Sequence, residues 1–246
     1  MRYYPPRYLF RRHELLRVVK PGQNFLEVGP GTMALAQDLL DYFQEGLLVD
    51  FSPQATPIYE ALPLLARQRL TLCIGDFLEV PLSNKFDCVI ACEVLEHVEH
   101  ESPFLQRAYD NLQSGGQILL SMPARMKFWS KHDELVGHLR RYEKEPTYRL
   151  LQEHGFQNVR VISYGFPFIN MLRWLRLLFA KYKWEHMAPK TAVEKTAWSG
   201  IEQTASFSRW FGLICNPYTI YPLARLASLF NQQDWSEGYL IVAHKV

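Results

Sequence analysis

The chain predicts an α/β fold built on a doubly wound, mostly parallel sheet. Short apolar runs alternate with helical stretches through the first two thirds of the sequence, which is the pattern of a sheet covered by helices on both faces. The runs are nearly continuous rather than alternating, as strands buried on both faces require. A glycine turn, Gly29-Pro30-Gly31, joins the first run to the first such helix, placing a backbone bend where a ligand can approach closely.

Taken in order, Tyr3 to Phe10 is aromatic and proline-bearing and suits an extended arm; Arg11 to Val19 reads as a short helix closed by Pro21-Gly22. Leu26 and Val28 supply the first strand, and Met33 to Phe43 continues with helical apolar spacing. Gly46 to Asp50 is a second strand, Pro53 to Arg67 a helix, Leu70 to Asp76 a third strand and Phe86 to Glu93 a fourth. Ser102 to Gln113 then forms a helix with Leu105, Ala108, Tyr109 and Leu112 on one face, ended by Ser114-Gly115-Gly116, and Gln117 to Met122 is the fifth strand. A helix over Pro146 to Gly155, a sixth strand over Asn158 to Ser163 and a seventh over Gly238 to Val246 complete the pattern.

With 48% hydrophobic and 14% aromatic residues among 246, the chain can bury a full core, which excludes a disordered protein. Its 27 basic and 25 acidic residues leave a net charge of +2 without a Lys/Arg block, which disfavours a nucleic-acid partner. Cys73, Cys88, Cys92 and Cys215 contain no Cys-x-x-Cys pair and read as reduced residues rather than catalytic or metal-binding ones. The N-terminal stretch has neither an apolar signal region nor a small-residue cleavage site, so a cytoplasmic location is expected.

The strand ends carry the chemistry. Glu27 precedes the glycine turn, Asp50 closes the second strand 19 positions after Gly31, Asp76 and Phe77 follow the third, and Glu93-Val94-Leu95-Glu96-His97 follows the fourth. A carboxylate at the Asp50 spacing can accept hydrogen bonds from ribose hydroxyls, and in an open parallel sheet such ends line one crevice. This order resembles the class I S-adenosylmethionine-dependent methyltransferases, and the Glu93 to His97 run is similar to the small-molecule branch that includes quinone-biosynthesis methyltransferases. The resemblance implies a Rossmann-like sheet of seven strands whose last strand is antiparallel. It implies S-adenosylmethionine as cofactor, with Glu27, Gly29 and Gly31 beside its methionine part, Asp50 on the ribose, Asp76 and Phe77 at the adenine, and Glu93 in the segment that closes over the sulfonium. It also implies a leading segment that folds over cofactor or substrate, where the residues alone equally allow a strap over the sheet edge.

Acceptor chemistry falls to His97 and to the loop after the fifth strand, which holds Lys131-His132-Asp133-Glu134 and then Gly137-His138-Leu139-Arg140-Arg141-Tyr142. The second run resembles a segment of many small-molecule methyltransferases, which implies that His138 faces the acceptor while Arg141 or Tyr142 orders the loop. The alternative is that His138 and Arg140 only stabilise the loop. Glu93, Glu96 and His97, spaced to share a helical face, would form an oxygen and nitrogen metal set with His138; no metal is assigned, since most carriers of the run are expected to work without one.

A single domain over 1–246 is expected, with 165–236 as a helical insertion forming a lid or cap. From Asn170 to Lys183, Asn170, Arg173, Arg176, Lys181 and Lys183 fall on one side of a helix, and Met171, Leu172, Trp174, Leu175, Leu178 and Phe179 on the other. Leu223 to Phe230 gives a second apolar helix. The first helix is too short and too charged to span a bilayer, but residues 170–183 can make peripheral membrane contact. The leading function is methyl transfer to a small, apolar or aromatic acceptor. The competing ones are a nicotinamide-dependent oxidoreductase, because Gly29 to Ala34 also fits a dinucleotide fingerprint, and a non-catalytic membrane- or partner-binding module on the same fold.

Overall fold

Aliphatic runs bounded by turn residues become the strands. In the computed structural model, which describes residues 4–83, 85–173, 177 and 215–246, these are β1 (Gly22–Val28), β2 (Phe43–Asp50), β3 (Leu70–Ile74), β4 (Phe86–Cys92), β5 (Leu112–Pro123), β6 (Gln157–Ser163) and β7 (Gly238–His244). They form a seven-stranded sheet of order β3-β2-β1-β4-β5-β7-β6. β1 runs parallel to β2, with Leu26 opposite Leu47, and to β4, with Leu26 opposite Val89. The β2–β3 and β4–β5 pairs are parallel too. β7 is antiparallel, as expected: the Gly115 amide donates to the Lys245 carbonyl and the Lys245 amide to the Gly116 carbonyl, each at 2.9 Å, the reciprocal exchange of an antiparallel pair.

Between the strands lie α1 (Pro6–Val18), α2 (Ala34–Leu39), α3 (Ala55–Glu60), α4 (Leu64–Arg67), α5 (Glu101–Asn111), α6 (Lys131–Val136), α7 (Lys144–Glu153) and α8 (Pro217–Ala227). Two compact units emerge from the contacts. One comprises residues 1–17, 122–144 and 162–240, and the other residues 18–121, 145–161 and 241–246. The second unit holds the parallel core of the sheet, where Phe25, Leu26, Leu48, Val89, Ile90, Ile118, Leu119 and Leu120 are fully buried. In the first unit, α1 stacks Phe10 on Phe168 with centroids 5.8 Å apart, and the Arg7 guanidinium donates to the Tyr164 hydroxyl at 3.3 Å.

Gly46 shows how closely that parallel core is packed. The Phe25 ring lies over it and against Phe43 at 5.3 Å, so a Cβ at position 46 would overlap the ring. Gly46→Ala is expected to cost about 1–3 kcal/mol by overpacking, read as a lower denaturant midpoint. An unchanged midpoint would show that the ring can give way.

The differences from the sequence reading have physical causes. α1 begins at Pro6 rather than Arg11, because proline at a first helical position forfeits no hydrogen bond. α2 ends at Leu39 because Phe43, 2% exposed, is drawn into β2. The expected Pro53–Arg67 helix is split into α3 and α4, with Pro63 entering α4 in an extended conformation. Gly115 and Gly116 do not end a helix: α5 stops at Asn111, since buried Leu112 already pairs with Phe86 in the sheet. α8 precedes its expected span, nucleated at Asn216, whose side chain accepts from the Tyr218 and Thr219 amides at 3.0 and 3.2 Å; Ser228–Phe230 follow as a 3-10 turn.

In the insertion, the expected facing is not met where the chain is described. Met171 and Leu172 are exposed, whereas Arg173 turns inward, donating to the Phe128 carbonyl at 3.0 Å and lying 3.6 Å from the buried Glu237 carboxylate. The guanidinium follows its counter-charge rather than the helical stripe. Trp174, Phe179, Arg176, Lys181 and Lys183 lie outside the described residues. No helix among the described residues is long and apolar enough to cross a membrane.

Candidate functional site

Strand order reverses between β1 and β4, and the carboxyl ends of an α/β sheet at such a switch point form its natural ligand crevice. The ends of β1 to β4, or the turns just beyond them, carry the residues the sequence singled out. Glu27, on β1, is 2% exposed. The turn that follows passes through Gly29 at φ 68°, with its amide donating to the Val49 carbonyl at 2.9 Å. A Cβ at Gly29 would lie 2.8 Å from a Val94 methyl, so both the backbone angle and the space demand glycine. Gly31 and Met33 also take positive φ, which compresses the turn before α2 starts at Ala34.

Asp50 ends β2, 8% exposed, accepting the Ser52 amide at 2.9 Å. Burial pushes its carboxyl above the usual range, and the Ser52 hydrogen bond only partly opposes this. A carboxylate so placed gains from further hydrogen-bond donors such as vicinal hydroxyls. Beyond β3, Asp76 is exposed and accepts the Leu78 amide at 2.8 Å. The Phe77 ring is committed to the core, packed on Phe104 at 4.8 Å with the Arg107 guanidinium 5.5 Å from its centroid.

After β4 the sequence reading is corrected. Glu93, Glu96 and His97 do not share an α-helical face. Glu93 adopts φ 58°, and only Leu95–His97 form a single 3-10 turn. The Glu93 amide donates to the Ser121 carbonyl at 2.8 Å and its carboxylate accepts from the Ser121 hydroxyl at 2.9 Å, so β5 dictates the bend. Glu96 is fully buried and His97 half-buried. The four cysteines are unpaired with one another, and burial pushes the Cys88 thiol far up, as an inert core residue requires.

His138 belongs to the other unit. The segment 130–142, read as loop from sequence, contains α6, which ends at Gly137. Asp133, fully buried, organises it. One of its carboxylate oxygens accepts the Ser130 amide at 2.9 Å and the Ser130 hydroxyl at 3.0 Å; the other meets His138 Nδ1 at 2.9 Å and two Arg141 nitrogens at 2.8 Å. The Asp133 carbonyl also accepts the His138 amide at 2.9 Å. Arg141, 5% exposed, donates to the Ala124 carbonyl at 3.1 Å, and the Tyr142 backbone pairs with Pro123 and Arg125. Burial alone would raise the Asp133 pKa, but the His138 hydrogen bond and the charge and hydrogen bond of Arg141 outweigh it and hold the group well below the carboxylate range. In the sequence Asp133 stands as one candidate in a polar run, and the Ser130-x-x-Asp133 spacing of a helix start is the signal for its role.

A methyltransferase-domain family model matches residues 1–161. The chain is 28% identical over 158 residues to a probable S-adenosylmethionine-dependent methyltransferase of Mycolicibacterium smegmatis, covering 61% of this chain and 60% of the relative. It is 28% identical over 116 residues to the mitochondrial ubiquinone biosynthesis O-methyltransferase of Candida albicans, covering 45% of this chain and 35% of that one. The chain thus spans from about a third to three fifths of the length of these curated relatives. Among solved structures, a Thermotoga maritima S-adenosylmethionine-dependent methyltransferase shares the fold at a TM-score of 0.58 and 18% identity, with 98% of this chain and 89% of that one covered. With a family model spanning well over half its length and a sheet of the same architecture, the chain belongs to the methyltransferase-domain family.

Proposed function

We propose that the protein transfers a methyl group from S-adenosylmethionine to a small, apolar or aromatic acceptor. The observation that carries this is the convergence of Glu27, the Gly29 turn, Asp50, Asp76 and Glu93 on consecutive carboxyl-terminal strand ends at the switch point. In this reading Glu27 and the backbone of the turn meet the methionine part, Asp50 the ribose hydroxyls, the Asp76–Phe77 turn the adenine, and Glu93 flanks the sulfonium. The fit is supported by a buried, pKa-raised Asp50 that gains from donors, and by a turn too tight for any side chain at Gly29.

When bound, the cofactor supplies an electrophilic methyl whose carbon–sulfur bond breaks as the acceptor atom bonds to carbon, the electron pair leaving with sulfur. The protein's contribution is alignment and exclusion of water. A hydroxyl acceptor must also give up its proton. We assign that role to His138, whose imidazole sits on a loop fixed at both ends of α6. Similarity to ubiquinone biosynthesis O-methyltransferases supports phenols as the first acceptors to try.

Calorimetric titration tests the cofactor assignment. S-adenosylmethionine should bind and NAD should not, and Asp50→Ala should weaken binding by about 10- to 100-fold, the loss of charge-assisted hydrogen bonds of about 1.5–3 kcal/mol. Tight NAD binding would assign the crevice to a nicotinamide enzyme instead.

A further inference from the structure

β3 is the outer strand of the sheet, next to β2. The Arg69 carbonyl accepts from the Gly46 amide and the Gly75 amide donates to the Asp50 carbonyl, each at 2.9 Å. The odd positions from 69 to 75 therefore turn their backbone polar groups toward β2. Leu70, Leu72 and Ile74 turn theirs outward, since successive strand residues alternate. The Tyr59 hydroxyl donates to the Leu70 carbonyl at 2.6 Å; among the described residues, nothing pairs with the amides and carbonyls of Leu72 and Ile74. The flank of this edge is apolar. Ala55 is the one buried residue of α3 and Ala66 that of α4, which leaves Leu64 64%, Leu65 76% and Ile74 38% exposed. From Phe51 to Ala66 the sequence carries a single charge, Glu60. β3 itself, Leu-Thr-Leu-Cys-Ile, has none of the lysines, prolines or bulges that keep an edge strand from pairing. Charge stands only beyond its two ends, with Arg67 and Arg69 before it and Asp76 and Glu79 after it. The Arg69 guanidinium is occupied by the Leu40, Phe43 and Gln44 carbonyls, whereas Arg67, Asp76 and Glu79 are exposed.

We propose that β3 pairs antiparallel with β3 of a second copy of this chain, joining the two sheets into one across a two-fold axis. The charges select both the occupant and the direction. An antiparallel pair lays Arg67 of each copy beside the Asp76–Glu79 end of the other, whereas a parallel pair would set Arg67 against its own copy. Opposite charges across such a ladder stabilise it and like charges oppose it. A two-fold contact uses one patch twice, so a strand whose basic start matches its own acidic end is complementary to itself. The same pairing brings the Leu64–Leu65 end of one copy toward the Ile74 end of the other and supplies the outward amides and carbonyls of Leu72 and Ile74 with partners. A large exposed apolar patch beside an open edge is thereby withdrawn from water.

Sedimentation equilibrium of the full chain over a wide range of concentration tests this. The expected result is a mass that rises from 28.8 kDa toward twice that value. Leu72→Pro removes an outward amide that β2 does not use, a change an edge strand accepts, and the symmetry of the contact makes it act twice. It should raise the dimer dissociation constant about tenfold or more. Arg67→Glu sets like charges together and should weaken the dimer on the same scale, while Arg67→Glu combined with Glu79→Lys should restore wild-type association, because the swapped charges again meet their opposites. A chain that stays monomeric at every concentration would overturn the proposal. So would a dimer indifferent to both single substitutions, which must be formed elsewhere on the surface, or a double substitution that fails to recover association. If Leu72→Pro does not fold, the variants at the exposed Arg67 and Glu79 decide alone.

Discussion

His138→Ala should lower methyl transfer to a phenol by about 100- to 10,000-fold, the range for removing a general base, while S-adenosylmethionine affinity stays at its wild-type value. The separation follows from the fold. The proposed cofactor-binding residues lie in the unit built on 18–121, 145–161 and 241–246, whereas His138 belongs to the unit that contains 122–144. Its imidazole is held by Asp133 five residues earlier, inside one loop. Truncating the ring should therefore remove the proposed proton acceptor and leave Glu27, Asp50 and the Gly29 turn in place. Turnover with an acceptor that needs no deprotonation, such as a thiolate, should fall much less. Equal loss on both acceptors, together with loss of cofactor binding, would show that the histidine only props up its loop.

The second large effect is on stability. Arg141→Met should destabilise the protein by about 3–5 kcal/mol, because removing one partner of a buried ion pair leaves the other uncompensated. Arg141 and Asp133 are 5% and 0% exposed, and the guanidinium also closes the Ala124 carbonyl. Denaturant unfolding at neutral pH measures this. The pH dependence follows from the sign of the Asp133 shift. Its folded pKa is depressed, so its contribution is fully present above the unfolded carboxylate value of about 3.9 and is lost as pH falls toward the folded value. Wild-type stability should therefore decline on acidification below about pH 4. Arg141→Met, with less to hold the carboxylate ionised in the folded state, should show a shallower decline over the same range. A variant as stable as the parent, with the same acid limb, would show that the pair is not what secures the loop.

Periodicity sufficed wherever local apolarity and tertiary burial agreed. The runs around Leu26, Leu48, Val89 and Ile118 are strands because no other element could hide them, and Glu27, Asp50 and Glu93 fall at or just beyond the ends of the first three as read. The misreadings arose where a distant partner decided. Phe43 leaves its helical pattern for a contact with Phe25 across the sheet. Leu112 leaves its helical pattern for β5, and Glu93 is bent by Ser121, a residue 28 positions away. Apolar periodicity missed α6 for the same reason: its anchor is a carboxylate that meets an arginine and a histidine beyond the helix end, and neither contributes to helical periodicity. Arg173 was read by its stripe but placed by Glu237.

The position of β7 has a consequence for how the chain comes into being. Residues 238–244 lie between β5 and β6 in the sheet, yet the ribosome delivers them after residues 164–237 have already emerged. Until then β6 has no neighbour, and β5 presents an open edge of main-chain amides and carbonyls beyond Gly115. Domains generally form from the N-terminal side during synthesis, and pairings of long sequence separation come late. The β3-β2-β1-β4-β5 block can assemble early on the nascent chain, while β6 waits for the strand that will join it to the rest. Arrest of translation just before residue 238 should thus yield a species with five strands set and a sixth stranded, a target for chaperones or for edge-to-edge aggregation.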